Sequence, residues 1–364
     1  MNARARLRAG GEGRLAAFVS EALAPARIAE LAHPEDWPGG ERLAFGSPAL
    51  PAETWDLAIG DIARDILSRP GRQFRARLAE LAFRLADGRG EPPEALGALV
   101  EILHAGSLIV DDIEDGSSVR RGEPCLHVRY GVPLALNTGN WMYLRALELV
   151  DELEPAHPPV RNRLRGIVVD AMARCHLGQA LDLSIDVGHL PPAAIHRVVA
   201  TSTTLKTGAL MELAARLGAV VAGAPGAQEE ALARFGRRLG VGLQMLDDFG
   251  NLNAAADGGS GKALEDLRNG TPTWPWALAA QALDDAAFGN LQADARSLTA
   301  GESDGDLRAR ALAAALRMAV GREGRAQAAR YLATALGDLR ACFGARPELA
   351  QLAAEIRRLE ESYG

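Results

Sequence analysis

From Thr54 onward, apolar residues return every three or four positions over long stretches. That is the period of a helix with one buried face, not of a strand. The stretch TWDLAIGDIARDIL, with Thr54 as N-cap, predicts a first helix, and residues 72–87 predict a second, stopped by GRGEPP. Pro93 opens a long helix, PEALGALVEILHAGSLIVDDIED, that ends at Gly116. Beyond a break at Gly131–Pro133, helices are predicted over 137–153 and, after the loop EPAHPP, over 161–186. The same spacing continues over 193–222, 227–252, 274–289, 304–320, 323–343 and 346–362, with AAADGGSGK at 254–262 as a loop. Residues 1–50 are rich in Gly, Pro and Ala and are broken by HPEDWPGG. They predict a partly irregular N-terminal extension with short helices at most, followed by a single domain over 51–364. No internal repeat of fixed period is present. The fold class expected is all-α, a large helical bundle.

Composition supports this. Ala, Leu and Arg are abundant and aromatic residues make up only 5% of the 364-residue chain, which favours helix over sheet. The balance of 40 basic and 47 acidic residues gives a net charge of −7, so no global field attracts nucleic acid. An anionic substrate must be held by local basic clusters. Cys125, Cys175 and Cys342 lie far apart with no CxxC pair, which argues against a disulfide framework or thiolate zinc site and fits a reducing cytoplasm. No run of about eighteen apolar residues is present, so no membrane span is expected. The basic N-terminus lacks the apolar core of a signal peptide.

Two acidic clusters carry the candidate chemistry. In LIVDDIEDGSSVRRG at 108–122, Asp111 and Asp115 are four apart and share a helix face, with Asp112 and Glu114 beside them. Like charges at that spacing destabilise a helix unless something compensates. A hard divalent cation does so, because Mg²⁺ takes carboxylate oxygens and keeps positions open for phosphate and water. The plain alternative is a solvated helix end, but the preceding run ILHAGSLIV is apolar. The second cluster, GVGLQMLDDFGN at 240–251, repeats the layout with Asp247, Asp248 and a polar Asn251 four after the first. Two such helix ends facing each other would make a multi-metal cage for a diphosphate.

These motifs resemble those of the trans-isoprenyl diphosphate synthase (polyprenyl synthetase) family. DDIED with the following RRG is similar to its first aspartate-rich motif and LQMLDDFGN to its second. The stretch from Asp111 to Tyr143 looks most like geranylgeranyl-diphosphate-synthase-type members. The resemblance implies an isoprenoid-synthase-type helical fold with a central active-site cavity. It also implies a homodimer, about three Mg²⁺ ions per site, and condensation of an allylic prenyl diphosphate with isopentenyl diphosphate.

The same resemblance assigns roles. It makes Asp111, Asp115 and Asp247 metal ligands, with Asp112 and Asp248 orienting them. Arg120 resembles the arginine on the allylic diphosphate, and Arg121 the one reaching isopentenyl diphosphate. In LKTG, Lys206 and Thr207 match a family motif near the allylic diphosphate, and Lys262 follows a loop similar to the family's. That loop is not a Walker A sequence, since the GxxxxGK[ST] spacing fails. Gln179, Asp182 and Gln244 match cleft positions, though a buried hydrogen-bonded role suits Gln179 and Gln244 nearly as well. At the isopentenyl site, PGRQFR at 70–75 places Arg72 where the family has lysine and keeps Arg75 as the later arginine, while His104 stands seven before Asp111. Asn251 replaces a usual aspartate, and Thr271 stands where a lysine is frequent. Trp274 and Trp276 read as core. Gly106 and Ser107, five and four before Asp111, leave room for a product chain, with Leu103 a turn deeper. They imply a product of twenty carbons, while close helix packing is the other account of Gly106. A terpene-synthase-like cyclising enzyme and a non-catalytic partner subunit remain open as alternatives.

Overall fold

Helices carry almost all of the described chain, and the one sheet among the described residues is a two-stranded hairpin. The all-α expectation holds. The computed structural model describes residues 3–31, 50–71, 73–153, 157–258, 262–300 and 304–362. They form two compact units, one of residues 1–77 and 93–161 and the other of 78–92 and 162–364. Among the described residues, no helix is long and apolar enough to cross a membrane.

The first unit opens with α1 (Ala3–Ala22), α2 (Pro25–Leu31) and α3 (Ala52–Trp55), which passes through a π turn at Asp56–Gly60 into α4 (Asp61–Ser68). α5 (Phe74–Leu85) starts here and ends in the second unit. Then come α6 (Glu94–Glu114), the hairpin β1 (Val119–Arg120) and β2 (Glu123–Pro124), α7 (Leu126–Tyr130), α8 (Val132–Glu148) and α9 (Val150–Leu153). At 20 residues, α1 is longer than the short helices expected. Two arginines explain its anchored end: Arg145 Nε donates to Ala22 O at 3.3 Å and Arg64 Nη1 to Leu23 O at 2.8 Å, satisfying carbonyls that a helix terminus leaves open. α8 starts five residues before its predicted position because Gly131, at φ 85°, turns the chain and Pro133 sits in the first turn, where a missing N–H costs nothing. α6 is buried over most of its length, from Ala95 through Ile109, as a helix apolar nearly all round must be.

The second unit contains α10 (Pro158–Ser184), a 3₁₀ turn at Val187–His189, α11 (Pro192–Thr203), a π turn at Thr204–Gly208, α12 (Ala209–Val221) and α13 (Gly226–Ala256). α14 (Lys262–Arg268), α15 (Trp274–Ala282), α16 (Asp285–Thr299), α17 (Gly305–Val320), α18 (Glu323–Phe343) and α19 (Pro347–Ser362) follow. The 31-residue α13 is the central element, packed against α12, α17 and α18. The helix predicted over 274–289 is two helices, because Asp284 caps α16 by accepting from Ala287 N at 2.8 Å. α14 was not predicted. Trp274 and Trp276 are buried, the latter edge-on to Phe288 with centroids 6.1 Å apart, in agreement with a core role.

Candidate active site

In the first unit, the end of α6 brings four predicted residues together. Asp112 is buried, and Arg120 donates to its Oδ1 from both Nε, at 2.7 Å, and Nη2. Arg120 Nη2 also reaches Asp111 Oδ2 at 3.3 Å. Burial disfavours the Arg120 cation, but the paired carboxylates outweigh that and raise its pKa. Asp111 and Asp115 are half-buried one turn apart, and Asp115 N bonds Asp111 O at 2.9 Å as the helix closes. The neighbouring Cys125 thiol is pushed up to about 12 by burial and by Asp112, so it is not a nucleophile.

The RRG sequence forms the hairpin turn. β1 and β2 pair antiparallel, Val119 opposite Pro124 and Arg120 opposite Glu123. Arg121 and Gly122 have φ of 57° and 84°, as a two-residue turn of the primed kind requires. A non-glycine residue pays for that conformation, which marks Arg121 as a position set by its surroundings.

His104 is buried, and its Nδ1 has no hydrogen-bond partner among the described residues. Burial first, then the charges of Arg75, Arg121 and Arg120, hold its pKa well below the ordinary value, so the ring is neutral at physiological pH. One turn earlier, Glu101 Oε1 accepts from Ala76 N at 3.1 Å, in the first turn of α5. Burial raises the Glu101 pKa against the opposing pull of Arg75, that N–H and Arg121. Arg72 lies outside the described residues.

Leu103 is buried and Ser107 is half-buried, with Ser107 Oγ donating to His104 O at 2.8 Å. Gly106 corrects the channel argument. A Cβ there would lie 2.9 Å from Gly139 O and 3.0 Å from Met142 Cβ on α8, and one on Gly139 would lie 3.1 Å from Gly106 O. The two glycines let α6 and α8 touch backbone to backbone. Close packing, the second account of Gly106, is the one the geometry supports.

In the second unit, the LKTG sequence is the π turn, a distortion that recurs at functional sites. Glycines on both sides admit it: a Cβ at Gly178 would lie 2.7 Å from Lys206 N, and one at Gly240 2.5 Å from Thr207 O. Cys175 Sγ, 3.4 Å away, occupies Lys206 O. Lys206 Nζ reaches Asp182 Oδ2 at 3.3 Å, and Gln179 is half-buried on the same helix, α10. Thr207 Oγ1 donates to Gln244 Oε1 at 2.9 Å, and Gln244 Nε2 donates to Asp248 Oδ1 at 2.8 Å. Trp274 N donates to Asp248 Oδ2 at 2.9 Å. Asp248 is therefore a buried structural acceptor that joins the π turn, α13 and α15. Its pKa is raised well above the ordinary value by burial, then by Asp266 and Asp247. Asp247 is half-buried and accepts from Asn251 Nδ2 at 3.4 Å. Lys262 heads α14, but its side chain lies outside the described residues.

Three residues of these sites escaped the sequence reading. Glu101 had a signal, a lone carboxylate in the apolar run ALVEILH. Asp266 follows the glycine loop, and only its closeness to Asp248 marks it. Arg69 carries no local signal, and its contacts run to residues 51 and 55 positions away.

Among the described residues, no group of three or more His, Cys, Asp or Glu is gathered into a ready-made metal site. The donor set nonetheless suits Mg²⁺. That ion binds through one or two carboxylates together with substrate phosphates and seldom in an all-protein cage. The half-buried Asp111 and Asp115, a turn apart beside a carboxylate committed to Arg120, match that requirement.

The polyprenyl synthetase family model matches residues 57–301. An octaprenyl diphosphate synthase of Haemophilus influenzae is 31% identical over 218 residues, 60% of this chain and 63% of that protein. A geranylgeranyl pyrophosphate synthase of Eremothecium gossypii is 30% identical over 237 residues, 65% of this chain and 73% of that one. The match thus spans between half and about three quarters of the length of such relatives, and less than two thirds of the Haemophilus protein. The fold is shared with a polyprenyl synthase from Caulobacter crescentus, crystallised with calcium and isoprenyl diphosphate, at TM-score 0.70 and 24% identity over 96% of each chain. It is shared equally with a geranylgeranyl pyrophosphate synthase from Lactobacillus brevis, at TM-score 0.73 and 22% identity over 96% of each chain. With an acidic cluster at the end of α6 and another inside α13, which runs on to Ala256 past the end expected for it, with its RRG hairpin and a match across most of its helices, this chain belongs to the polyprenyl synthetase family of trans-isoprenyl diphosphate synthases.

Proposed function

We propose that the protein is a Mg²⁺-dependent trans-prenyltransferase that joins an allylic prenyl diphosphate to isopentenyl diphosphate, giving a prenyl diphosphate of twenty carbons. The observation that carries this reading is the division of roles at the end of α6. Arg120 holds Asp112 with two donors and reaches Asp111 with one at 3.3 Å, and Asp111 and Asp115 stand half-buried one turn apart.

In this reading Asp111, Asp115 and Asp247 hold the cations, about three in all. Asp112, Asp248, Asn251, Gln179 and Asp182 orient their neighbours. Arg120, Lys206, Thr207, Gln244 and Lys262 hold the allylic diphosphate, and Arg72, Arg75, His104 and Arg121 hold isopentenyl diphosphate. When bound, the cations stabilise the charge that develops on the departing diphosphate. The allylic C–O bond breaks with its electron pair on that diphosphate. The isopentenyl double bond then bonds to the allylic carbon, and a proton leaves to the departing diphosphate. His104, kept neutral, offers its unpartnered Nδ1 to a diphosphate oxygen. Calcium and isoprenyl diphosphate in the Caulobacter protein support a divalent cation here. The relatives include geranylgeranyl and octaprenyl diphosphate synthases, and the small side chain of Ser107 supports a product of more than fifteen carbons.

A homodimer in a reducing cytoplasm completes the reading. α8 exposes Leu134, Leu136 and Leu144, and α10 exposes Val169 and Leu177, apolar surface that a second copy would cover. The test is product analysis with the allylic substrate and Mg²⁺, with and without isopentenyl diphosphate. An elongated diphosphate only when both are present supports the reading. A cyclic hydrocarbon or alcohol from the allylic substrate alone identifies a terpene-synthase-like enzyme, and no product in either arm identifies a non-catalytic partner subunit.

A further inference from the structure

We infer that Arg69 is a positioning residue, a clamp that holds the hairpin carrying Arg120 and Arg121 in its binding geometry. The inference rests on the proposed function in one respect, that Arg121 serves isopentenyl diphosphate.

Arg69 follows α4 in extended conformation, and its side chain is only 3% exposed. Its Nη1 donates to Arg120 O at 3.2 Å and its Nη2 to Pro124 O at 2.9 Å. Those carbonyls belong to opposite strands of the hairpin. The third guanidinium nitrogen, Nε, donates to Asp65 Oδ1 at 2.9 Å. The other oxygen of Asp65 accepts from Arg129 at 2.8 Å and Tyr130 at 3.0 Å, both on α7 just beyond the hairpin. One buried ion pair thus grips the hairpin and the helix that follows it. Lysine cannot reproduce this, because only a planar fork presents three donors at fixed angles.

The hairpin needs the support. Each strand has two residues, and a pair of strands that short has no independent stability. Its turn also holds Arg121 at φ 57°. The two arginines depend on the clamp unequally. The Arg120 side chain has its own anchor in Asp112. The Arg121 guanidinium lies over Gly71, where a Cβ would come within 2.9 Å of Nη1, and reaches Arg69 O only at 3.5 Å. Releasing the hairpin therefore displaces Arg121 first, and the substrate it serves loses affinity.

The experiment compares Arg69→Lys and Asp65→Asn with the unaltered full-length protein, measuring KM for each substrate, kcat and Tm. Arg69→Lys should raise the isopentenyl diphosphate KM about tenfold, the equivalent of one good hydrogen bond. The allylic KM and kcat should stay within about twofold. Asp65→Asn should shift the same constant in the same direction. In an Arg121→Ala background, Arg69→Lys should add nothing further. Equal rises in both KM values, full additivity with Arg121→Ala, or a loss of Tm with unchanged constants would overturn the inference and leave Arg69 as a packing residue. If Arg121→Ala itself leaves the isopentenyl KM unchanged, the substrate assignment fails, and hydrogen exchange decides the clamp separately. Faster exchange at the hairpin amides in Arg69→Lys, including Cys125 N, which bonds Ser118 O at 3.0 Å, sustains it. Unchanged exchange refutes it.

Discussion

Gly106→Ala offers a direct measure of how closely α6 and α8 are packed. The added methyl carbon would lie 2.9 Å from Gly139 O and 3.0 Å from Met142 Cβ, with Tyr143 Cδ1 at 3.5 Å. The nearest contact is a backbone carbonyl, which cannot swing aside as a long side chain can. Overpacking of this kind costs about 1–3 kcal/mol. Replacing glycine within a helix recovers about 1 kcal/mol. The net expectation is a loss of up to about 2 kcal/mol. Gly166 on α10 is the control: a Cβ there meets nothing within 4 Å, so Gly166→Ala should gain up to about 1 kcal/mol. Urea and thermal unfolding of the two variants beside the unaltered protein measure the difference directly. A Gly106→Ala variant at least as stable as its parent would refute the packing argument. The larger Gly106→Phe should fail to fold or unfold well below the parent. A folded Gly106→Phe with the parental Tm and a fifteen-carbon product would instead restore the channel reading. Ser107, half-buried on α6 with its Oγ on His104 O, is the remaining small position next to Gly106 at which to test product length.

Three further outcomes are expected. Asp111→Asn or Asp247→Asn should lower turnover at least about a hundredfold with the fold intact, because metal charge stabilisation is worth several kcal/mol; near-parental turnover that also resists EDTA would remove the metal assignment. Arg75→Ala should raise the KM for isopentenyl diphosphate more than for the allylic substrate, by the loss of a charge-assisted contact of about 1.5–3 kcal/mol, and equal effects on both would refute its place in that site. Glu212, buried in the second unit, accepts from Arg237 at 2.8 and 3.0 Å, Arg216 at 3.1 Å and Arg174 at 3.2 Å. Burial pushes its pKa up, but the three arginines prevail and hold it below the ordinary carboxylate value. Glu212→Gln should therefore cost about 3 kcal/mol near neutral pH. Because the folded pKa is depressed, that contribution is complete above the unfolded value of about 4.3 and is lost as pH falls through the folded one. The stability gap between variant and parent should close below about pH 4, and a gap independent of pH would show that the charge is not what Glu212 supplies.

The periodic apolar positions of this chain determined that it is helical, and the acidic clusters of α6 and α13 stood out because carboxylates follow apolar runs, with Asp111 and Asp115 crowding one helix face. Both features are written within one turn or two of a single helix, so they are legible without a partner. The breaks were less so. The π turn at Thr204–Gly208 interrupts an otherwise continuous pattern, and it exists because Gly178 and Gly240 let the neighbouring helices approach it. The division between α15 and α16 did carry a local sign in the Asp284 cap, weaker than the apolar run around it. What only the tertiary structure decided is which groups meet. Periodicity says that Gly106 is on a buried face, but not that the face lies against the backbone of Gly139 rather than a channel. The family resemblance marks Asp112 and Asp248 as ligands' neighbours, but not that one is taken by Arg120 and the other by Gln244 and Trp274. Nothing near Arg69 announces that its guanidinium reaches Arg120 and Pro124. A helix pattern records how much of each face leaves water, because burial acts on the helix itself. A hydrogen bond or a close contact has direction and a specific partner, and that partner is supplied by the folded chain.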